Sequence, residues 1–299
     1  MFRLLLVFVW LFSVDGCTTV LVTKGASAKE INSCFVSHSN DGEGDTDGRL
    51  IKVPPRSNNL PSKRPIFASH KNFPRYVGNA RGVNNYLPIP GYQETSSQPI
   101  GFIDEVAETF GIFEAVYGIG NDQGVVMAES TCEGIFGARP RPVGKALFSI
   151  DELSRIALER SSTALEAVKL MGSLAEREGF YGDGFEGPAE SLLVADSDHG
   201  WIFHVLADDS GASAVWAAQR VKDGSVAVVT NAFAIREMNL SDPDNFLASK
   251  NIQTIALKHG LWKQGTPFDF SRIYGKGEYD AKYYSGRRQW RAFHMLAPF

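Results

Sequence analysis

The segment VDGCTTVLVTKGAS, residues 14–27, decides how this chain is interpreted, because it joins an apolar leader to the first predicted strand. Arg3 is followed by nine apolar residues, Leu4 to Phe12, a run too short to span a bilayer. Small or modest side chains occupy the third and first positions before Cys17. The pattern is typical of a signal peptide over residues 1–16. We therefore expect a protein of the secretory pathway, secreted or lumenal, whose mature chain starts at Cys17 and has no membrane segment.

The number of cysteines makes Cys17 unusual. The chain has Cys17, Cys34 and Cys132, and an odd number in an exported protein leaves at least one thiol without a disulfide partner in the same chain. If Cys34 and Cys132 form a disulfide, Cys17 is the spare thiol, but the pairing stays open. Lipidation is disfavoured, because Asp15 fits a lipoprotein cleavage site poorly. The chain has no C-x-x-C pair and its six histidines are scattered, so no metal site is predicted.

An N-terminal Cys17 would carry its own catalytic base. Its thiol and its free α-amine share one Cα, and the amine has a reference pKa of about 7.7 to 8.0. The amine can therefore accept the thiol proton near neutral pH, so that neither a separate histidine nor a cofactor is needed. Such a cysteine can attack an amide carbonyl and hold the acyl group as a thioester, provided that another group stabilises the oxyanion.

Composition limits the size of the fold and the kind of partner. With 299 residues, 43% hydrophobic and 21% charged, the chain can form one large domain or two small ones. A net charge of −4 and a pI near 5.9 argue against nucleic acid as the main partner. Residues 49–93 contain no Asp or Glu but seven prolines. We interpret them as a weakly structured basic segment, either a solvated loop or a wall that attracts a carboxylate-bearing ligand.

Hydrophobic periodicity predicts an α+β fold. Residues 114–131 indicate a hairpin that turns at Asn121–Gly124, and residues 149–180 indicate two amphipathic helices, the second capped by Thr163 and Glu166. Short strands are expected before and after these helices, and the last four of them should form an antiparallel meander. The expected strands are Thr18–Thr23, Cys34–Ser37, Leu192–Ala195, Trp201–Leu206, Ala214–Val221 and Val226–Thr230. This order indicates helices that cover antiparallel sheet.

Seven blocks, in the same order along the chain, resemble the dipeptidase A family of N-terminal-nucleophile cysteine peptidases. That family is related to the secernins and more distantly to the penicillin V acylases and bile salt hydrolases. The blocks are CTTVLVTKGAS (17–27), VYGIGNDQGVVMAESTC (116–132), the helical run 147–182, ESLLVADSDHGWIFHVL (190–206), SAVWAAQRVKDG (213–224), NAFAIREMN (231–239) and YYSGRRQWRAFHMLAP (283–298).

The resemblance implies a fold, an activity and a set of site residues. The fold would be a four-layer sandwich over residues 17–299, with two antiparallel sheets between helical layers, and the reaction would be hydrolysis of dipeptides. Cys17 would be the nucleophile and Asp41, in SHSND, would orient its amine. Asn231, in TNAF, would help to form the oxyanion hole, and Arg236 would bind a substrate carboxylate. The implied partner is a dipeptide or another small amide, with no cofactor.

Two departures from the family pattern bear on function. Relatives usually carry an Arg-Asn-Asp-Asp run after the second strand, where this chain has His38-Ser39-Asn40-Asp41. Relatives also usually continue well beyond the last block, so we expect the domain to be truncated at its C-terminus. The expected function is an exported cysteine dipeptidase. The alternatives are an acylase that cleaves a non-peptide amide with the same nucleophile, and a catalytically silent binding protein of the same fold.

Overall fold

The computed structural model describes residues 16–40, 50–68, 98–182, 189–276 and 281–297. Its strands are β1 (Thr18–Val22), β2 (Phe35–Ser39), β3 (Ile51–Val53), β4 (Arg56–Ser57), β5 (Lys63–Phe67), β6 (Pro99–Asp104), β7 (Glu108–Thr109), β8 (Ile112–Glu114), β9 (Gly118–Asn121), β10 (Val126–Cys132), β11 (Ala189–Ala195), β12 (Gly200–Ala207), β13 (Ala214–Arg220), β14 (Val226–Val229) and β15 (Phe246–Ala248). Its helices are α1 (Ile150–Arg160), α2 (Ala164–Glu178), α3 (Ile252–Lys258), α4 (Phe270–Tyr274) and α5 (Arg287–Leu296), the last preceded by a π-helical turn at Lys282–Gly286.

Two antiparallel sheets organise these strands. The larger has the order β15-β13-β12-β11-β10-β9-β8-β3, and the smaller has the order β14-β1-β2. In the smaller sheet Thr19 lies opposite Val229 on one side and His38 on the other. The short pairs β4–β7 and β5–β6 lie outside these sheets. The first of the described strands, β1, is therefore central in its sheet, and Cys17, which precedes it, lies between two segments that are distant in the chain.

Alternate residues of β12 enter two different hydrophobic clusters, as the pleat of a strand requires. Trp201, Phe203 and Val205 pack with the apolar faces of α1 and α2. Ile202 and Leu206 point the other way and pack with residues of β1 and β14. The larger sheet is thus buried on both faces, between the two long helices and the smaller sheet.

The hairpin and both amphipathic helices form as predicted. Gly120 lies opposite Val126 in the β9–β10 hairpin, and α1 and α2 lie within residues 149–180. Thr163 Oγ1 accepts the backbone N–H of Glu166 at 3.2 Å. The Glu166 carboxylate accepts the N–H of Ser162 at 2.9 Å, one residue before the helix cap. The α+β class with antiparallel sheets is confirmed, whereas the four-layer arrangement stays a prediction.

The predicted meander is wrong in its last strand. β11, β12 and β13 pair in sequence, but β14 leaves the larger sheet and pairs with β1. The edge of β13 is occupied by β15 instead, where Ala217 lies opposite Ala248. A turn after β13 looks the same locally whether the chain returns to that strand or crosses to another sheet, so the local pattern could not decide between them.

The described part of the basic segment is structured, contrary to expectation. Residues 50–68 contain β3, β4 and β5. Arg64 is buried, and its guanidinium donates to the carboxylates of Glu152 and Glu159 in α1, each at 2.7 Å. The charge of Arg64 therefore binds the strand to the helix. The remaining residues of the segment, 49 and 69–93, lie outside the described residues.

Two further sequence expectations concern cysteines and membranes. Cys17, Cys34 and Cys132 are all buried and none of them is in a disulfide, so the open question of a Cys34–Cys132 disulfide is answered against it. Among the helices that the structure describes, none combines the length and the apolar character needed to cross a bilayer.

Candidate active site

Cys17 lies directly before β1 and is 7% exposed. Its thiol donates to Asn40 Oδ1 at 3.6 Å, at the end of β2. The β1–β2 pairing sets Thr18 opposite Ser39, and the Thr18 N–H donates to Ser39 Oγ at 3.2 Å. The described part of the SHSND segment, residues 37–40, therefore lies beside Cys17. Asp41 lies outside the described residues, so its predicted contact with the amine stays a prediction.

Arg288 of α5 connects Cys17 to the end of β14. One terminal nitrogen, Nη1, donates to the Cys17 carbonyl at 2.7 Å and to Thr18 Oγ1 at 3.2 Å. The other, Nη2, donates to the Thr230 carbonyl at 3.1 Å and to Asn231 Oδ1 at 2.8 Å. A planar guanidinium suits this arrangement, because its two terminal nitrogens can serve two separate chain segments at once.

Asn231 is brought into the same cluster by an unusual backbone conformation. Its φ is 60°, in the left-handed region that asparagine tolerates better than most residues. Its Nδ2 donates to the Thr131 carbonyl at 2.7 Å, and its backbone N–H donates to Ser130 Oγ at 2.9 Å. Tyr284 Oη donates to Asn231 Oδ1 at 3.3 Å, and the Tyr284 ring stacks on the Arg288 guanidinium. The structure places Asn231 with Arg288 beside Cys17, and its oxyanion role stays a prediction.

A buried histidine supports the turn that follows Asn231. His204 of β12 is fully buried, and its Nε2 accepts the N–H groups of Ala234 at 2.9 Å and Ile235 at 3.2 Å. The ring packs against Phe233, with centroids 4.7 Å apart. Burial lowers the pKa of His204 to about 3, so that the ring stays neutral and keeps its acceptor nitrogen.

Glu129 of β10 and His38 of β2 lie close to Cys17, which sequence analysis did not predict. Glu129 Oε2 is 3.7 Å from His38 Nε2, and the Thr131 hydroxyl donates to Glu129 Oε1 at 3.0 Å. Burial raises the pKa of Glu129 to about 7, an effect that a hydrogen bond with Glu190 opposes. The departure from the family pattern at His38 was visible in the sequence, but its proximity to Glu129 depends on how the two sheets pack.

A cavity of about 850 Å³ opens beside this cluster. His38 and Asn40 form part of its polar wall, while Tyr117, directly before β9, and Met127 of β10 contribute to its apolar wall. The cavity can therefore hold a small molecule that has both an apolar side chain and a polar end directed toward His38 and Asn40, the residue that accepts the Cys17 thiol.

Arg236 lies elsewhere. Its Nε is 3.1 Å from Asp269 Oδ2, and it borders a separate cavity of about 380 Å³ with Gln289 and Phe293. The contacts described for Arg236 do not connect it to Cys17, and its role as a carboxylate ligand stays a prediction. The arginine that contacts Cys17, at its backbone carbonyl, is Arg288. The sequence did not single it out, although it lies in the last resembling block. That block holds three arginines, and only the packing of α5 distinguishes one of them.

Residues 16–299 match the sequence model of peptidase family C69. The chain belongs to peptidase family C69. This confirms the resemblance found in the seven blocks. A probable dipeptidase of Latilactobacillus sakei is 25% identical over 290 residues, which are 95% of this chain and 54% of that protein. A probable dipeptidase of Salmonella dublin is 24% identical over 291 residues, 95% of this chain and 59% of that protein. The C69 chain thus spans little more than half the length of these curated relatives.

Among solved structures, penicillin V acylase from Agrobacterium tumefaciens is similar to this C69 chain at 12% identity and a TM-score of 0.29. The match covers 70% of this chain and 52% of the acylase. The likeness is partial, and the α+β description of the C69 chain rests on its own strand pairing.

Proposed function

We propose that this protein is an exported cysteine dipeptidase that works through a thioester on Cys17, after residues 1–16 have been removed. The observation that carries the proposal is the contact of Arg288 with both the Cys17 carbonyl and Asn231. It holds the proposed nucleophile next to the proposed oxyanion donor, beside a cavity of suitable size. Membership of a peptidase family and the printed names of the two curated relatives agree with this function.

The reaction follows from the groups at the mature N-terminus. The α-amine of Cys17 takes the thiol proton, and the sulfur attacks the scissile carbonyl carbon. The tetrahedral oxyanion collapses, the C–N bond breaks, and the protonated α-amine gives its proton to the leaving amine. Water then attacks the thioester, its proton passes to the α-amine and on to the thiolate, and the free acid departs.

The other residues have distinct proposed roles in this reaction. Asn231 stabilises the oxyanion through its side-chain amide, and Arg288 positions Asn231 and the Cys17 backbone. Asp41 orients the α-amine. Arg236 would bind a substrate carboxylate. In the structure its described partner is Asp269, so this role would require Arg236 to leave that ion pair.

Removal of the leader is required for two reasons. It converts the Cys17 nitrogen from an amide into a basic amine, which is the proton acceptor in this mechanism. It also takes away Gly16, which lies so close to Arg288 and Tyr284 that even an added Cβ would come within 2.8 Å of both side chains. Cleavage therefore opens space on the side of Cys17 that faces Arg288.

Hydrolysis of a dipeptide panel by wild-type protein and two cysteine variants tests the proposal. Wild-type protein should hydrolyse dipeptides and lose this activity on treatment with iodoacetamide. Cys17→Ala should be inactive, whereas Cys34→Ala should still hydrolyse dipeptides with a near wild-type kcat. Cys34 lines the cavity but lies outside the Arg288–Asn231 cluster, so its replacement should act mainly on KM. Circular dichroism would verify that both variants fold.

Substrates with a free or a blocked N-terminus distinguish the alternative functions. A dipeptidase should lose activity when the N-terminus of the substrate is blocked, whereas an acylase would prefer the blocked substrate. A folded protein that starts at Cys17 and hydrolyses neither would be a silent binding protein, and the dipeptidase proposal would be wrong.

A further inference from the structure

Three side chains of different chemistry converge at the thiol. Cys17 Sγ, a His38 ring nitrogen and a Glu129 carboxylate oxygen all lie within 4.8 Å of one another. His38 Nε2 and Glu129 Oε2 are only 3.7 Å apart. Ligand atoms around a tetrahedral zinc ion are roughly 3.3 to 3.8 Å apart, so a contraction of about 1 Å, mainly at the sulfur, would let all three surround one ion.

The donor types select a particular class of ion. Thiolate, imidazole and carboxylate are the three ligand types that Zn²⁺ takes in proteins, whereas Mg²⁺ and Ca²⁺ prefer oxygen ligands alone. With Cys17 and Glu129 both ionised, the ligands carry two negative charges and neutralise a divalent ion. Glu129 is 1% exposed, so an ion bound there would be well shielded from water on that side.

The surrounding structure positions Glu129 and His38, and a cavity gives access to the site beside His38. The Thr131 hydroxyl bonds to Glu129 Oε1 at 3.0 Å, which fixes the carboxylate with Oε2 toward His38, the kind of outer contact that orients metal ligands. Strand pairing sets His38 opposite Thr19, two residues after Cys17. The adjoining cavity, which His38 lines, supplies an entry path and room for a water molecule as fourth ligand.

We propose that Cys17, His38 and Glu129 form a binding site for Zn²⁺ that inactivates the nucleophile. On binding, the Cys17 thiol releases its proton to solvent and a Zn–S bond forms, with no change of oxidation state. The sulfur lone pair that would attack an amide is then bound to the ion, so metal binding and catalysis exclude each other. The inhibitory effect rests on the proposed function, whereas the metal site does not.

Cobalt titration of the chelator-treated protein tests the site without any assay of activity. Co²⁺ reports thiolate coordination through a sulfur-to-cobalt charge-transfer absorption. Wild-type protein should bind one Co²⁺ with this absorption, and Zn²⁺ should displace it. Cys17→Ser should abolish the absorption. His38→Gln and Glu129→Gln should each weaken binding by at least about tenfold, since each removes one ligand.

Cys34→Ser and His199→Gln are the matched controls. Cys34 is a buried free thiol on the wall of the same cavity, and His199 is an exposed histidine on the β11–β12 turn. Both variants should bind cobalt as the wild type does. A charge-transfer band that survives in Cys17→Ser but vanishes in Cys34→Ser would overturn the proposal, and so would unchanged cobalt affinity in both His38→Gln and Glu129→Gln.

Activity assays then examine inhibition separately. If the protein hydrolyses dipeptides, Zn²⁺ should inhibit it at the concentration that displaces cobalt. Stoichiometric zinc binding through Cys17 without loss of hydrolysis would contradict mutual exclusion. If the protein hydrolyses no dipeptide, the proposed function fails, while the cobalt titration still decides the metal site.

Discussion

At the scale of single residues, the site depends on contacts between segments far apart in the chain. The sequence predicted a catalytic role for Cys17 from its position after the apolar leader, and for Asn231 from a resembling block. A role for Arg288 was not predicted, because Arg287, Arg288 and Arg291 lie in one short block and differ only in the direction in which α5 points them. Glu129 was missed for a related reason, since nothing local distinguishes a strand glutamate that meets His38 of another sheet from one that is solvated.

Replacement of Arg288 by lysine tests its positioning role. One ammonium group cannot reproduce the two-pronged contact with Cys17 and Asn231. We expect kcat for a dipeptide to fall on the order of 10²-fold, with a smaller change in KM, because misplacement of reacting groups by about 1 Å has effects of that size. Steady-state kinetics of the purified variant would measure both constants.

Arg291→Lys is the matched control for that experiment. Arg291 lies on the same helix and is exposed. Its replacement should leave kcat within about twofold of wild type, as surface substitutions usually have small effects. An Arg288→Lys variant that matched this control would remove Arg288 from the account of the site.

At the scale of elements, local patterns predicted most strands and both long helices but not which sheet each strand joins. The β9–β10 hairpin and the Thr163 cap rest on contacts within a few residues, and the sequence predicts them well. The pairing of β14 with β1 joins segments about two hundred residues apart in the printed sequence, and no local signal specifies it. The same limit applies to Arg64, whose partners are carboxylates of α1.

Gly172 of α2 provides an element-scale prediction that runs against helix propensity. Alanine is favoured over glycine inside a helix by about 1 kcal/mol. A Cβ at residue 172, however, would come 2.3 Å from Cε2 of Trp216 on β13, whose indole is held by a 2.7 Å hydrogen bond to Glu176. We expect Gly172→Ala to lower the free energy of unfolding by about 1 to 3 kcal/mol, the usual effect of overpacking.

Urea denaturation of Gly172→Ala and Ser173→Ala together measures this effect. Ser173 is the next residue of the helix and is exposed. Its replacement should leave the midpoint of unfolding unchanged or slightly raised. If Gly172→Ala were also more stable than wild type, the close contact between α2 and β13 would not be as described.

At the scale of the whole molecule, burial between the sheets and helices makes stability depend on pH, because it holds uncharged a side chain that would titrate near neutral pH in the unfolded chain. His204 is the clearest case, because burial lowers its pKa from 6.5 to about 3. Below pH 6.5 an unfolded chain binds a proton at residue 204 that the folded state does not bind. The contribution of neutral His204 to the free energy of unfolding is therefore complete above that pH and is lost as the pH falls toward 3. The loss approaches about 1.4 kcal/mol per pH unit.

Replacement of His204 by glutamine should remove this contribution to acid denaturation. Gln Oε1 can accept the N–H groups of Ala234 and Ile235 but does not titrate. Free energies of unfolding measured between pH 4 and 7 should therefore depend less steeply on pH in His204→Gln than in wild type. His199→Gln, a change at an exposed histidine, should keep the wild-type slope. Equal slopes in all three proteins would show that His204 does not stay neutral in the folded state.

The central claim is that Cys17 becomes an N-terminal nucleophile, and an acyl-enzyme measurement tests it most directly. Wild-type protein would be quenched in acid during turnover of a slowly hydrolysed dipeptide, digested and analysed by mass spectrometry. The account predicts an N-terminal peptide that starts at Cys17 and is heavier by the acyl residue of the substrate, with no such adduct in Cys17→Ala. An active protein that retains residues before Cys17, or that carries the acyl group on another residue, would contradict it.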